Sequence, residues 1–235
     1  MHAHQQYVNM PKKEFFRMQE EHQSEEHQFI ELCKVMDTLL GENGCPWDRA
    51  QTHQSLRPHL LEEAYEVIDT IDNNDMKGLC EELGDILIHV VIHSRIAEKA
   101  GHFTLSDVIQ GVSEKLIRRH SHIFADDTAS TTADVESTWE ANKFKEKDIS
   151  TTLEYMQAVP KALPALARAQ KVIKRSGKEF SEKELIKEVQ KQINDPNMAN
   201  YGYVLFLITV ILTKMQINAE FSLTNETQGF INSFK

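Results

Sequence analysis

The sequence predicts an all-α protein, and three observations carry that expectation. Only 9 glycines and 6 prolines occur in 235 residues, too few for the many tight turns of a sandwich or barrel. Apolar residues recur at helical spacing through most of the chain. No stretch alternates apolar and polar residues as a strand ladder would.

The elements follow in order. Residues 1–23 are polar and carry His2, His4 and His22 without a clear period, and read as a solvated extension rather than a metal site. From Glu25 to Leu40, the residues Phe29, Leu32, Cys33, Val35, Met36, Leu39 and Leu40 keep helical spacing, and Gly41 and Gly44 close the segment. A loop with Pro46, Trp47 and Asp48 follows. A second helix runs from about Ser55 to Ile71 on the stripe Leu60, Leu61, Ala64, Val67, Ile68 and Ile71, and Asn73-Asn74 ends it. A third spans Leu79 to Lys99 and stops at Gly101. A fourth starts at Ser106, read as its N-cap with Asp107 in the first turn, and continues to His122. Residues 125–134 read as a loop, and a short helix carries Trp139 to Lys147. Polar residues 148–152 link to a second helical set at 161–176, 181–193, 198–217 and 222–234.

Composition limits the function. The 26 basic and 36 acidic residues give a formal charge of −10, which disfavours general nucleic-acid binding. The charge is local. Residues 60–85 hold nine carboxylates against Lys77, a sum of −8 that leaves −2 for the rest. No secretory signal is recognisable. The longest apolar run, Val204 to Leu212, is interrupted by Thr209 and falls short of the ~20 residues a membrane helix needs. Cys33, Cys45 and Cys80 form no CxxC pair, so neither a disulfide framework nor a zinc signature is expected. These features predict a reduced cytoplasmic protein with no membrane and no nucleic-acid partner.

The chemistry concentrates on the second to fourth helices. In Glu62-Glu63-x-x-Glu66, Glu63 and Glu66 lie about 60° apart beside the apolar stripe, and Glu62 lies further toward solvent. Alone, such glutamates read as a solvated surface. The third helix is apolar nearly all round, with Leu83, Ile86, Leu87, Ile88, Val90, Val91, Ile92 and Ile96, which implies burial on most sides. Glu82, Asp85, His89 and His93 nevertheless form one polar line along it, at i, i+3, i+7 and i+11. Buried carboxylates require compensation, and carboxylates converging from two antiparallel helices would make an oxygen-rich Mg²⁺ site. A di-iron centre needs Glu-x-x-His on two helices. Tyr65, Glu66 and Asp85 stand at the relevant positions, so iron is disfavoured, and His89 and His93 read as polar contacts inside the bundle. On the fourth helix, Lys115, Arg118, Arg119 and His122 fall within an arc of about 100°, a basic stripe suited to a phosphate chain. No GxxxxGK[ST] loop is present.

Five motifs occur in order: Cys45-Pro46-Trp47-Asp48, Gln51-Thr52-His53-x-Ser55-Leu56, Leu61-Glu62-Glu63-Ala64-Tyr65-Glu66-Val67, Glu81-Glu82-Leu83-Gly84-Asp85 and Lys115-Leu116-Ile117-Arg118-Arg119-His120. In these the chain closely resembles the MazG family of all-α nucleoside triphosphate pyrophosphohydrolases over residues 25–147. The family's mark is EExxE followed by ExxD, here separated by the fifteen residues 67–81. The resemblance implies cleavage of NTP to NMP and pyrophosphate with Mg²⁺, for which Mn²⁺ could substitute. It implies Glu63, Glu66, Glu82 and Asp85 as metal ligands and Lys115 and Arg119 as triphosphate contacts, with Arg118 close by. Trp139 and Lys143, in a WExxK segment, resemble a family element bordering the nucleotide. Glu62, in the motif but not aimed at the metal, is the candidate to orient or deprotonate the attacking water. Trp47 has two readings, stacking on a base or packing its loop onto the bundle.

A second, worn copy is expected in residues 149–235, after an active domain at 24–148. Gly202 to Ile217 echoes Gly84 to Ala100, which sets Asn200 against Glu82 and Tyr203 against Asp85. The EExxE triad meets Lys187, Glu188 and Lys191, and Gly229 to Phe234 resembles the family's KFIRRF with both arginines lost. Such a copy cannot hold Mg²⁺. The excess apolar surface of the third helix points to a homodimer whose interface helps build the site. Two other functions fit the same residues: a house-cleaning pyrophosphatase for modified or deoxy nucleotides, and a non-catalytic nucleotide-sensing module.

Overall fold

The computed structural model describes residues 24–125, 131, 132, 134, 135, 138, 139, 142, 146, 149–194 and 201–234. Among them every regular element is a helix, as expected. The helices are α1 (Glu25–Leu40), α2 (Pro46–Arg49), α3 (Arg57–Asp72), α4 (Met76–Lys99), α5 (Leu105–Arg119), α6 (Ser121–Phe124), α7 (Thr152–Gln157), α8 (Ala165–Ser176), α9 (Glu182–Ile193), α10 (Tyr201–Lys214) and α11 (Ala219–Asn232). The chain forms two compact units that divide between Leu116 and Ile117, inside α5, upstream of the change in sequence character at 148–149.

In the first unit α3 and α4 form the main pair, and α1 packs on α4 and on α2. The core gathers Met36, Leu56, Val91, Ile92 and Leu105, with Phe29, Leu32 and Leu39 against it. The helix starts explain the register. Ser24 caps α1 by accepting from His27 N at 3.2 Å. Asp75 caps α4 through the backbone amides of Lys77 and Gly78, so α4 begins at Met76, three residues before the expected Leu79. At α5 the cap is not Ser106: Thr104 and Asp107 bond reciprocally, each side chain accepting from the other's backbone amide. This local exchange satisfies two orphan amides at once. The loop expected around Pro46 contains the single turn α2, with Pro46 at its first position.

In the second unit α8 packs on α7, α10 and α11, and α9 packs on α10. Ile173, Leu185, Leu207 and Val210 form its core. Gln170 is buried and joins two elements, donating to Ile217 O at 2.8 Å and accepting from Ala219 N at 2.8 Å. The predicted linker 148–152 ends at a capping box, Thr151 with Glu154, that starts α7. Among the described residues no single helix is long and apolar enough to cross a membrane; α10 and α11 reach the required length only together, across a bend of 107°.

Candidate active site

The first unit holds an acidic cluster built by α3 and α4. Carboxylate oxygens of Glu63, Glu66 and Glu82 all lie within 4.8 Å of one another. Helical spacing of three residues puts Glu63 and Glu66 side by side, and packing of α3 on α4 brings Glu82 to them. Partial burial pushes the Glu63 carboxyl above its usual range, reinforced by its hydrogen bond with Glu66 and by the charges of Asp85, Glu66 and Glu82. Glu82 is raised too, first by burial and then by Glu66, Asp85 and Glu81. Asp85 therefore belongs to the same electrostatic neighbourhood, one turn beyond Glu82, although its oxygens are not among the three that converge most closely. Clustered carboxylates that resist ionisation in one place form a site short of positive charge. All-oxygen donors suit a hard divalent cation, so the residues present fit the metal that the sequence implied.

Glu62 stands apart from this cluster. Its carboxylate is exposed and lies 3.8 Å from Nδ1 of His59, one turn earlier on α3. His59 in turn meets the edge of Trp47, with ring centroids 6.1 Å apart. Trp47 is exposed.

The polar line on α4 continues into a histidine group. His89 is only 7% exposed. The rings of His53 and His93 stack at 5.1 Å, with Nδ1 atoms 2.8 Å apart. The reading of His93 as a polar contact inside the bundle agrees with this pairing. His53 as its partner was not foreseen.

The basic residues lie on α5 and just beyond it. Lys115, half-buried, belongs to the first unit; Arg118 and Arg119 belong to the second. The helix ends at Arg119, so His122 sits in α6 and not on the stripe expected to run through it. Glu146 binds both arginines: its Oε1 accepts from Arg118 Nε at 2.8 Å and from Arg119 Nε at 3.1 Å. Arg119 Nη2 donates to the other oxygen of the same carboxylate. The Arg119 guanidinium also covers the Trp139 ring, 5.1 Å from its centroid, and His120 meets that ring edge-on at 4.9 Å. Sequence reasoning missed Glu146. Its signal was present, because Trp139, Asn142 and Glu146 stand at i, i+3 and i+7, one side of a helix. Lys143 lies outside the described residues, as does Asn200.

An all-α chain in which two packed neighbouring helices carry EExxE and ExxD on one acidic patch belongs to a narrow class of proteins. The description "MazG nucleotide pyrophosphohydrolase domain" matches residues 51–124. The chain is 36% identical over 221 residues to the nucleoside triphosphate pyrophosphohydrolase/pyrophosphatase MazG of Thermotoga maritima, covering 88% of this chain and 84% of that protein. It is 41% identical over 150 residues to the nucleoside triphosphate pyrophosphohydrolase of Escherichia coli K12, covering 63% of this chain and 57% of the relative. It is 45% identical over 148 residues to the uncharacterized protein YabN of Bacillus subtilis, of which it spans 30%. The chain belongs to the MazG family.

Proposed function

We propose that this protein hydrolyses nucleoside triphosphates to nucleoside monophosphate and pyrophosphate. The observation that carries the reading is the convergence of Glu63, Glu66 and Glu82 within 4.8 Å, with Asp85 beside them. These four residues would hold Mg²⁺, or Mn²⁺ in its place, which when bound supplies positive charge to the phosphates and to a water-derived nucleophile. Water attacks the α-phosphorus and pyrophosphate leaves. Glu62, free of the cluster and exposed, would orient that water or take its proton. Lys115, Arg118 and Arg119 would bind the phosphate chain, with Trp139 and Lys143 bordering the nucleotide. Fixed charges at these positions lower the barrier by electrostatics and positioning, as in phosphoryl transfer generally.

Residues 149–235, the part of the second unit that follows the predicted linker, are proposed as a worn copy without a metal site. Lys187 and Lys191 replace two of the three EExxE carboxylates, and the remaining Glu188 accepts a hydrogen bond from Gln192 at 2.6 Å. A homodimer is proposed from the apolar residues that α3 and α4 leave exposed. Three free cysteines support a reducing, cytoplasmic setting.

The test is pyrophosphate release from the common NTPs and dNTPs, and from modified nucleotides, with and without Mg²⁺. Release by wild type, lost in Glu63→Ala and Asp85→Ala, is expected. No Mg²⁺-dependent release from any substrate would leave a non-catalytic nucleotide module.

A further inference from the structure

Arg118 and Arg119 are neighbours in sequence, so on α5 their side chains leave the backbone about 100° apart, and their like charges repel. One carboxylate nevertheless captures both. Glu146 accepts from Nε of each arginine, and Arg119 binds it in bidentate fashion through Nε and Nη2. The Arg119 guanidinium also lies over the Trp139 ring, and Asn142 Nδ2 donates to Arg118 O at 3.4 Å. Trp139, Asn142 and Glu146 therefore grip the end of α5 from one side of a helical segment.

We propose that Glu146 is a positioning residue that holds the Arg118 and Arg119 guanidiniums in the arrangement that receives a substrate's phosphates. The proposal rests on the phosphate-binding role given above to these arginines. Two cations and one anion leave the group with a charge of +1, so it still attracts phosphate. Arg118 is 54% exposed, and among the described residues its Nη1 and Nη2 meet no protein acceptor. That leaves its outer edge for a ligand while Nε is held. Arg119 and Glu146 are only 11% and 14% exposed. A phosphate that displaced the carboxylate would strand it with little access to water, which argues for a holding role over a competing one. Hydrogen bonds from Arg119 and then Arg118 keep the Glu146 carboxyl down at about 2, so it carries its charge at neutral pH.

The experiment uses the full chain with Glu146→Gln and Glu146→Asp. Binding of inorganic tripolyphosphate is measured by calorimetry, and kcat and KM with the best nucleotide. Glu146→Gln is expected to weaken tripolyphosphate binding and raise KM tenfold or more, with a smaller change in kcat. Glu146→Asp keeps the charge and stays closer to wild type in both constants. Added to Arg118→Ala, the Gln substitution is expected to have less effect than it has alone. Unchanged binding in Glu146→Gln, equal losses in the two variants, or tighter binding in Glu146→Gln, the mark of a carboxylate that competes with phosphate, would each overturn the proposal. If Glu146→Gln does not melt cooperatively, Glu146→Asp decides alone: a loss of at least threefold supports the proposal, and none overturns it. A wild type that binds tripolyphosphate but releases no pyrophosphate would sink the proposed reaction and leave the role of Glu146 measurable.

Discussion

Nδ1 of His53 and Nδ1 of His93 stand 2.8 Å apart across stacked rings only 7° from parallel. With both rings neutral, one Nδ1–H donates to the other nitrogen. The bond ties the turn after α2 to the middle of α4. Burial lowers the His93 ring below its ordinary 6.5, and the neighbouring His53 and His89 lower it further. His89 is lowered by its own burial and by His59, and raised in part by Asp85.

Stability is expected to fall in mild acid as a consequence. A histidine with a depressed native pKa binds fewer protons folded than unfolded, so stability rises with pH up to about 6.5 and is lost as pH falls through that value. Urea midpoints between pH 5 and 8 read this directly. His53→Ala leaves the His93 nitrogen without its partner and is expected to cost about 1–2 kcal/mol at pH 7.5. A midpoint independent of pH across 5.5–7.5 would contradict the lowering of His89 and His93.

Mg²⁺ is expected to raise the melting temperature by several degrees, since a ligand at 100 times its Kd adds about 2.7 kcal/mol. The acidic cluster also has a pH signature of the opposite sign. Glu63 and Glu82 hold protons more tightly in the metal-free native state than in the unfolded chain, so repulsion removes stability as pH rises above the ordinary 4.5 through their native values. The Mg²⁺-induced shift should therefore grow with pH over that range, a difference measurement that cancels the histidine effect. Glu63→Gln is expected to raise metal-free stability and abolish the Mg²⁺ response; a retained response would place the metal elsewhere.

Leu83, Leu87 and Val90 form one stripe along α4, and all three are exposed, as are Leu61 and Tyr65 on α3. Sedimentation of the wild-type chain should give twice the 27.0 kDa chain mass. Leu87→Asp places a charge in that stripe and is expected to weaken self-association by ~30-fold or more, an effect of about 2 kcal/mol. A wild type that sediments as a monomer at micromolar concentration would refute the dimer.

Gly44 sits where no side chain fits. A Cβ there would lie 2.2 Å from Leu39 O and 2.4 Å from Thr38 O, and backbone cannot step aside as a side-chain tip can. Gly44→Ala is expected to cost about 1–3 kcal/mol, read as a lower thermal midpoint. An unchanged midpoint would mean that the turn before α2 can re-form.

Much of the architecture was legible because helical period is written locally. The residues of α1, α3 and α4 repeat at three and four, and a turn or two of backbone decides that pattern. The same spacing placed Glu63 beside Glu66, and the ordered motifs identified the family. Other features were readable but misassigned, since Thr104 and Ser106 are both good caps and only the bonds to Asp107 choose between them. The near-continuous apolar character of α4 predicted burial on most sides, whereas Leu83, Leu87, Ile88 and Val90 face outward in the single chain. Composition registers that a residue is apolar, not what covers it.

Helix identity, the Glu63–Glu66 pair and the family follow from residues a few positions apart, where backbone geometry alone sets which side chains meet; Glu82 joins that pair only through the packing of α4 on α3. The partnership of His53 with His93, forty residues on, and of Glu146 with two arginines needed the folded chain. Each such contact is worth little against the entropy of closing the loop between its partners. It forms only because packing of whole helices has already brought those positions together.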